Sequence, residues 1–250
     1  MYTAPMPALI GHRGLPTLAP ENTAASIHCA VKHGIEWLEL DVTMAGDGSL
    51  VVMHDPDCRL FNDPDTKLAS LDKTALQKID AGAWFDAEYT GEPILFCDEM
   101  LTLIRQTGAS LNLEIKINPD LDVIRQVDSI WAELNQVEDL FDRIFISSFS
   151  IQALEHLRTL NQTLKVGVLY EADPEDAIYT AKKLNATTIH CNHGLLTQET
   201  TKRLIAHLPV YCFTVNDTTT LEKLLSWGVS GVFTDRAHAS DLKAIVQKFT

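Results

Sequence analysis

The sequence reads WLELDV over residues 37–42, within a strand predicted at 36–43, and its acids Glu39 and Asp41 alternate with apolar side chains. Successive residues of a β-strand point to opposite faces, so residues i and i+2 share a face. We therefore expect Glu39 and Asp41 to lie side by side on a strand whose neighbours are apolar. Because a charged side chain is costly to remove from water unless it binds a partner, this segment predicts a polar site built on a buried strand.

Three more apolar segments end in ionisable residues, so charge is predicted at the ends of four strands. The segments and their charged residues are 8–11 with His12 and Arg13, 50–53 with His54 and Asp55, and 111–117 with Glu114 and Lys116. In a barrel of parallel strands, the carboxyl ends meet at one face. We therefore expect these side chains to converge on one site at that face.

Strand and helix patterns alternate along most of the chain. Further strands are predicted at 143–148, 165–169, 187–191, 210–215 and 230–234, each followed by a helix pattern. With 50–54 taken as an extension of the second strand, eight strand–helix units remain, and 250 residues is a usual length for a (β/α)8 barrel. We predict a TIM barrel, one domain over residues 1–250, with a small insertion at 56–97. An open doubly wound sheet is disfavoured because no glycine-rich dinucleotide fingerprint follows the first strand.

Composition and charge restrict the classes of partner. The net charge of −14 repels nucleic acid and anionic membrane surfaces, so we expect neither as a partner. The five cysteines have no zinc-ligand spacing and no disulfide framework, which is typical of free thiols in a reducing compartment. Residues 1–7 do not resemble a signal peptide, and no apolar run approaches the roughly 20 residues of a membrane span. We expect a cytoplasmic protein without stable membrane association, and the sequence leaves its oligomeric state open.

The carboxylates Glu39, Asp41 and Glu114 are candidate metal ligands. Three carboxylates without a cysteine or histidine on the same strands favour a hard, oxygen-binding ion, Mg²⁺ or Ca²⁺, over zinc. The alternative is that these acids form structural ion pairs at the barrel mouth. Their position on strands rich in Leu, Val and Ile favours the metal site.

His12 and His54 are candidates for proton transfer, since histidine titrates near neutral pH. A single histidine at a strand end is more often a hydrogen-bonded structural residue, but two that converge with three acids fit acid–base work better. Arg13 and Lys116 are candidate phosphate-binding cations, although Lys116 is equally suited to pair with a neighbouring carboxylate. A histidine pair, a carboxylate-bound divalent cation and two basic side chains together describe a phosphodiester-cleaving site.

A series of different short motifs spans nearly the whole chain in a characteristic order. They are Gly11-His12-Arg13-Gly14, Pro20-Glu21-Asn22-Thr23, Glu39-Leu40-Asp41-Val42, Asp47-Gly48, His54-Asp55-Pro56 and Glu114-Ile115-Lys116, followed by residues 80–85, 148–149, 213–216 and 231–235. In this order they resemble the glycerophosphodiester phosphodiesterase family. Departures from the family pattern at Leu15, 94–97, Phe213 and Ala237 bear on substrate preference more than on activity.

The resemblance implies a barrel hydrolase that cleaves small-molecule glycerophosphodiesters into sn-glycerol 3-phosphate and an alcohol with the help of a divalent metal. The implied roles are His12 and His54 as the acid–base pair, Glu39, Asp41 and Glu114 as metal ligands, Arg13 and Lys116 as phosphate contacts, and Glu21 as a residue near the site. Asn22 is expected to cap the first helix. Attack by the glycerol 2-hydroxyl would give a cyclic phosphate that water then opens, and the sequence leaves open which histidine is the first base.

Two rival functions are compatible with the same residues. One is a lysophospholipase D or phosphatidylinositol-type phospholipase, which an extended exposed apolar patch near the barrel mouth would favour. The other is a non-catalytic barrel that only binds phosphate esters. His12 and His54 argue against this second rival, because binding alone has no need of proton-transfer groups.

Overall fold

The structure, a computed structural model, describes residues 5–171 and 174–249, so the prediction for residues 1–7 lies partly outside it. Its strands are β1 (Leu9–Gly11), β2 (Trp37–Met44), β3 (Leu50–Val52), β4 (Asp57–Cys58), β5 (Asp63–Lys67), β6 (Ser110–Ile115), β7 (Ile144–Ser148), β8 (Lys165–Tyr170), β9 (Thr188–Asn192), β10 (Val210–Phe213) and β11 (Gly231–Thr234). Eight of them close into a ring in the order β1-β2-β6-β7-β8-β9-β10-β11, and every neighbouring pair is parallel. β3 pairs antiparallel with β2 alone within this sheet. The chain is therefore a TIM barrel, which confirms the predicted fold.

Helices connect the strands around the outside of the ring. They are α1 (Ala24–Lys32), α2 (Lys73–Leu76), α3 (Cys97–Thr107), α4 (Val123–Leu134), α5 (Ile151–Leu160), α6 (Pro174–Lys183), α7 (Gln198–Ile205), α8 (Thr218–Ser226) and α9 (Ser240–Val246). Several begin at a side chain that accepts a hydrogen bond from a free backbone N–H of the first turn. Ser150 caps α5 and Thr197 caps α7 in this way. No helix within the described ranges is long and apolar enough to cross a membrane.

The prediction that Asn22 caps α1 is wrong. The cap is Thr23, whose side chain accepts a hydrogen bond from the Ser26 amide. Asn22 adopts the left-handed region, with φ of 59°, which does not match the extended backbone of a cap residue. Its side chain donates instead to Asp41 Oδ2 over 2.9 Å and accepts from the Asp41 amide over 3.2 Å. Asn22 therefore belongs to the polar site at the barrel mouth.

The interior of the barrel is layered along the strands. An apolar cluster fills its lower part and consists of Met6, Ile10, Phe145, Tyr211 and Phe233. Trp37 packs edge-to-face on Phe145, with ring centroids 5.6 Å apart. Since Trp37, Glu39 and Asp41 alternate along one face of β2, the two acids lie above this cluster toward the carboxyl ends of the strands. The larger core packs on the outer face of the strands against the helices.

The segment after β3 forms its own small substructure. β4 and β5 pair as a two-stranded antiparallel sheet that is separate from the barrel sheet. Buried Leu68, Leu76 and Ala81 form a further apolar cluster with Val51 of β3. Asp57, which is almost fully buried, accepts two hydrogen bonds from the Arg59 guanidinium. The boundaries proposed for this insertion, residues 56–97, stay a prediction.

Candidate active site

Three carboxylates meet at the top of neighbouring strands β2 and β6. The register between these strands places Asp41 beside Glu114, and Glu39 lies two residues earlier on the same face. The exposed fractions of Glu39, Asp41 and Glu114 are 3%, 1% and 8%. One oxygen of each side chain lies within 4.8 Å of the others. The alternation seen in the sequence therefore becomes a compact, buried cluster of oxygen donors.

Two basic side chains lie against this cluster. Lys116 Nζ is 2.5 Å from Glu114 Oε1 and 3.6 Å from Asp41 Oδ1. The Arg13 guanidinium donates to Glu21 over 2.6 Å, and its Nε lies 3.4 Å from Asp41 Oδ2. Lys116 thus makes the ion pairs that the sequence allowed, while Glu21 reaches the site through Arg13.

The carboxylates at this site outnumber the two basic side chains. Burial, followed by repulsion from Asp41 and Glu114, raises the pKa of Glu39 well above its ordinary value. Burial and repulsion from Asp41 raise the pKa of Glu114 to about 7. Burial alone would raise the pKa of Asp41 too, but Lys116 and Arg13 hold it below its ordinary value. Glu39 Oε1 is buried without a hydrogen-bond partner, so the cluster has an unused oxygen and an excess of negative charge.

The loop after β1 has an unusual backbone that serves this site. Arg13 and Gly14 both adopt positive φ, 50° and 89°. A side chain on Gly14 would meet the Ser26 Oγ atom at 2.3 Å, so this turn requires glycine. The turn aims the Arg13 amide at Glu39 Oε2, to which it donates over 3.0 Å. Backbone strain of this kind is typical of functional sites.

His12 is oriented by a carboxylate at the end of β11. Its Nδ1 lies 2.7 Å from Asp235 Oδ1, and its Nε2 lies 4.0 Å from Glu39 Oε2. Asn216 holds Asp235 in turn, by donating to Oδ2 over 2.6 Å and accepting from the Asp235 amide over 2.9 Å. With Nδ1–H donating to Asp235, Nε2 is the ring nitrogen left for exchange with a substrate.

His54 is oriented in a similar way by the residue that follows it. Its Nδ1 lies 2.8 Å from Asp55 Oδ1, and Asp55 Oδ2 lies 3.7 Å from the Arg59 Nε. Burial lowers the pKa of His54 below its ordinary value, although Asp41 opposes the shift. The two histidines therefore share one arrangement, in which a carboxylate bonded to Nδ1 directs the ring.

One cavity of about 350 Å³ opens at the carboxyl ends of the strands and has two contrasting sides. The first, here called the carboxylate wall, consists of His12, Arg13, Glu39, His54, Glu114 and Lys116. The second, here called the aromatic wall, consists of Phe149, Leu169, Glu171, Asn192, His193, Phe213 and Thr214. His190 of β9 lies at the base of the cavity, where its fully buried ring packs against Tyr211 and Phe233.

The structure brings the predicted site residues together. His12, Arg13, Glu39, His54, Glu114 and Lys116 line one cavity, Asp41 lies directly behind them, and Glu21 lines a small adjoining cavity with His54. Sequence reasoning missed Asn22, Asn216 and Asp235 as members of the network. Each of the three lies in one of the motifs named above, which could have marked it as a candidate. Their hydrogen-bond partners, however, are distant in the chain.

Fold and site together define a TIM-barrel enzyme whose polar cavity is at the functional face of the barrel. The sequence model of the glycerophosphoryl diester phosphodiesterase family matches residues 12–239. A glycerophosphodiester phosphodiesterase of Caldanaerobacter subterraneus subsp. tengcongensis is 26% identical over 228 residues, which are 91% of this chain and 93% of that one. One from Bacillus subtilis is 28% identical over 244 residues, with 90% and 82% covered.

A solved structure agrees with these sequence relatives. A phosphodiesterase of Oleispira antarctica, in complex with the product sn-glycerol-3-phosphate, superposes with a TM-score of 0.89 at 30% identity and covers 97% of both chains. The chain belongs to the glycerophosphoryl diester phosphodiesterase family. It is an enzyme of that family, a hydrolase of glycerophosphodiesters, which confirms the resemblance read from the motifs.

Proposed function

We propose that this enzyme releases sn-glycerol 3-phosphate and an alcohol from small glycerophosphodiesters, with a divalent metal, Mg²⁺ or Ca²⁺, on Glu39, Asp41 and Glu114. The observation that carries the proposal is the convergence of three buried carboxylates directly beside two carboxylate-oriented histidines. The product named for the Oleispira antarctica relative has the same chemistry.

The residues present fit a hard divalent cation. All three ligands are carboxylates, and Glu39 Oε1 is buried without a hydrogen-bond partner. Oxygen-only ligand sets favour Mg²⁺ or Ca²⁺. When bound, such an ion would supply positive charge for the phosphoryl oxygens and lower the pKa of a coordinated hydroxyl.

Arg13 and Lys116 hold the phosphate in this proposal. Both side chains lie on the carboxylate wall, about four-fifths removed from solvent, with side-chain exposures of 20% and 18%. Partial burial strengthens their attraction for a phosphoryl group relative to that of exposed cations. They therefore offset the repulsion that a chain of net charge −14 exerts on an anionic substrate.

His12 and His54 move the protons. One takes the proton of the glycerol 2-hydroxyl as its oxygen attacks phosphorus, and the other gives a proton to the alkoxide as the phosphorus–alcohol bond breaks. Water then attacks the cyclic phosphate and opens the bond to the 2-oxygen, with the two histidines in exchanged roles. Asp235 and Asp55 keep the Nδ1 protons in place, so that each Nε2 remains available.

The test is release of sn-glycerol 3-phosphate from glycerophosphocholine, measured with and without EDTA and repeated for His12→Ala and His54→Ala. We expect chelation to abolish turnover, Mg²⁺ or Ca²⁺ to restore it, and each histidine variant to lose about 10²- to 10⁴-fold in kcat. Phosphorus NMR would detect the cyclic phosphate. Turnover that survives chelation would contradict the metal site, and full turnover in both variants would contradict the acid–base roles.

A second candidate, cleavage of a lysophospholipid, is favoured by one observation. Phe149, Ile151 and Leu195 are exposed and follow β7 and β9 at the cavity end of the barrel. Parallel assays with glycerophosphocholine and lysophosphatidylcholine separate the two, and we expect the substrate without an acyl chain to be preferred.

We also propose a cytoplasmic location. All five cysteines are free in the structure, and four of them are buried. Free buried thiols are typical of a reducing compartment. Fractionation of cells that produce the protein would test the location.

A further inference from the structure

The aromatic wall takes no part in the proton and phosphate steps, yet it lines the same cavity. In the ring of eight strands, β9 and β10 lie opposite β2 and β6, which carry the three carboxylates. A diester whose glycerol phosphate lies on the carboxylate wall therefore directs its second substituent toward β7 to β10. That substituent is the alcohol that leaves, so the aromatic wall is the surface that distinguishes one alcohol from another.

Two phenylalanines supply the aromatic surface of this wall. Phe149 follows β7 and Phe213 ends β10, and their rings meet edge-to-face with centroids 5.7 Å apart and an angle of 88°. Phe149 is 41% exposed, although nothing in the proposed chemistry requires an exposed ring there. Lys116 Nζ lies 5.4 Å from the Phe149 centroid. An aromatic ring attracts a cation at distances up to about 6 Å, so Lys116 already engages Phe149, and Phe213 is the ring through which a substrate cation would bind.

The charges that line the cavity also favour a cation on the aromatic wall. Among the described residues that line the cavity, the lysine and the arginine both lie on the carboxylate wall, whereas the aromatic wall carries the carboxylate Glu171. Glu171 is exposed, so its attraction for a cation is modest and depends on salt. Its sign nevertheless favours a cationic alcohol and disfavours an anionic one.

We propose that Phe149, Phe213 and Glu171 form a subsite for a leaving alcohol that carries a quaternary ammonium group, which makes glycerophosphocholine the preferred class of substrate. A primary ammonium needs acceptors for three N–H groups, whereas a quaternary ammonium needs only ring faces and a nearby negative charge. This subsite rests on the proposed function, because it assigns the alcohol half of the same reaction.

The first test compares kcat/KM for glycerophosphocholine with kcat/KM for glycerophosphoglycerol, whose alcohol is neutral. The variants are Glu171→Gln and Phe213→Leu, and the matched controls are Glu199→Gln and Phe249→Leu, which change exposed residues away from the cavity. We expect the unchanged enzyme to prefer the choline ester. Each subsite variant should lower that preference about two- to fivefold, and the controls should retain it.

A second test measures recognition of the alcohol itself. Choline and its uncharged carbon isostere 3,3-dimethylbutan-1-ol are compared as inhibitors of glycerophosphoglycerol hydrolysis. They have the same shape, so the ratio of their inhibition constants reports the charge alone. We expect choline to inhibit at the lower concentration, and we expect the ratio to approach one in Glu171→Gln and Phe213→Leu.

The outcomes separate the subsite from the reaction. Hydrolysis of both diesters with no preference, or a preference that neither subsite variant alters, would overturn the subsite and leave the proposed function in place. Failure to hydrolyse either diester in the presence of metal would overturn both. If Phe213→Leu fails to fold, Glu171→Gln still decides the question, because Glu171 is exposed.

Discussion

The two walls of the cavity are built in opposite ways. On the carboxylate wall, Glu39 and Glu114 are almost fully buried, and Arg13 and Lys116 each pair with two carboxylates. On the aromatic wall, Phe149 and Glu171 are exposed. One wall is therefore rigid and charged, and the other is open and mixes aromatic rings with polar groups.

This difference follows from the separate tasks proposed for the carboxylate wall and the aromatic wall. Electrostatic stabilisation and proton transfer need groups held in fixed positions, which buried and cross-linked side chains provide. Recognition of the leaving alcohol requires only surface of suitable shape and charge. Substitutions should accordingly have large effects on the first wall and small, substrate-dependent effects on the second.

The largest difference is expected between Asp41→Asn and Phe213→Leu. Asp41 is a proposed metal ligand that contacts Arg13, Lys116 and Asn22, so its loss should lower kcat/KM by about 10³-fold or more. Phe213→Leu should change hydrolysis of glycerophosphoglycerol by less than about fivefold. Steady-state kinetics in saturating Mg²⁺ or Ca²⁺ measure both, and losses of equal size would contradict the contrast between the walls.

The next effect concerns the residue that orients His12. Asp235→Asn keeps the shape but no longer favours the Nδ1–H tautomer, so kcat should fall about 10²-fold while KM changes little. Asp241→Asn is the matched control, because Asp241 pairs with Arg236 in the same region. The pH profile of kcat should move in Asp235→Asn only. An unmoved profile would reduce Asp235 to a structural role.

A third prediction concerns His190 at the base of the cavity. Burial lowers the pKa of His190 to about 3, so the folded protein keeps the ring neutral. The unfolded chain, in contrast, binds a proton at this residue once the pH falls below the ordinary histidine pKa. Its contribution to stability is therefore complete above about pH 6.5 and is lost as the pH falls toward 3, by up to about 1.4 kcal/mol per pH unit. Urea unfolding at several pH values should show a shallower acid dependence in His190→Gln than in the exposed control His28→Gln. Equal slopes would contradict the assignment.

The smallest effect is one of stability rather than activity. Glu39→Gln removes a charge that burial and the neighbouring acids disfavour, so the metal-free protein should gain about 1 kcal/mol at pH 8. Glu36→Gln, an exposed change directly before the same strand, should gain nothing. Thermal melting with EDTA checks this, and the gain should vanish when metal is present. A variant less stable than the parent without metal would show that Glu39 is not repelled by its neighbours.

Sequence reasoning succeeded where the signal was local. The alternation of Glu39 and Asp41 specifies a shared face, and the count of strand–helix units specifies a barrel. It failed for Asn22, whose type and position suit a helix cap, because the left-handed backbone that turns its side chain toward Asp41 depends on the packed loop. It also missed Asp235, since His12 and Asp235 are 223 residues apart in the chain.

The sequence by itself determined the chemical types of the site residues and the strand ends at which they lie, because period-two alternation and apolar runs are properties of neighbouring residues. Only the tertiary structure decided which charges touch. Closure of the ring brings β11 beside β1, so that Asp235 meets His12, and it sets Phe213 of β10 across the cavity from the carboxylates of β2 and β6. Burial in that closed ring also raises the pKa of Glu39 and Glu114, an effect of desolvation and proximity that a linear sequence does not contain.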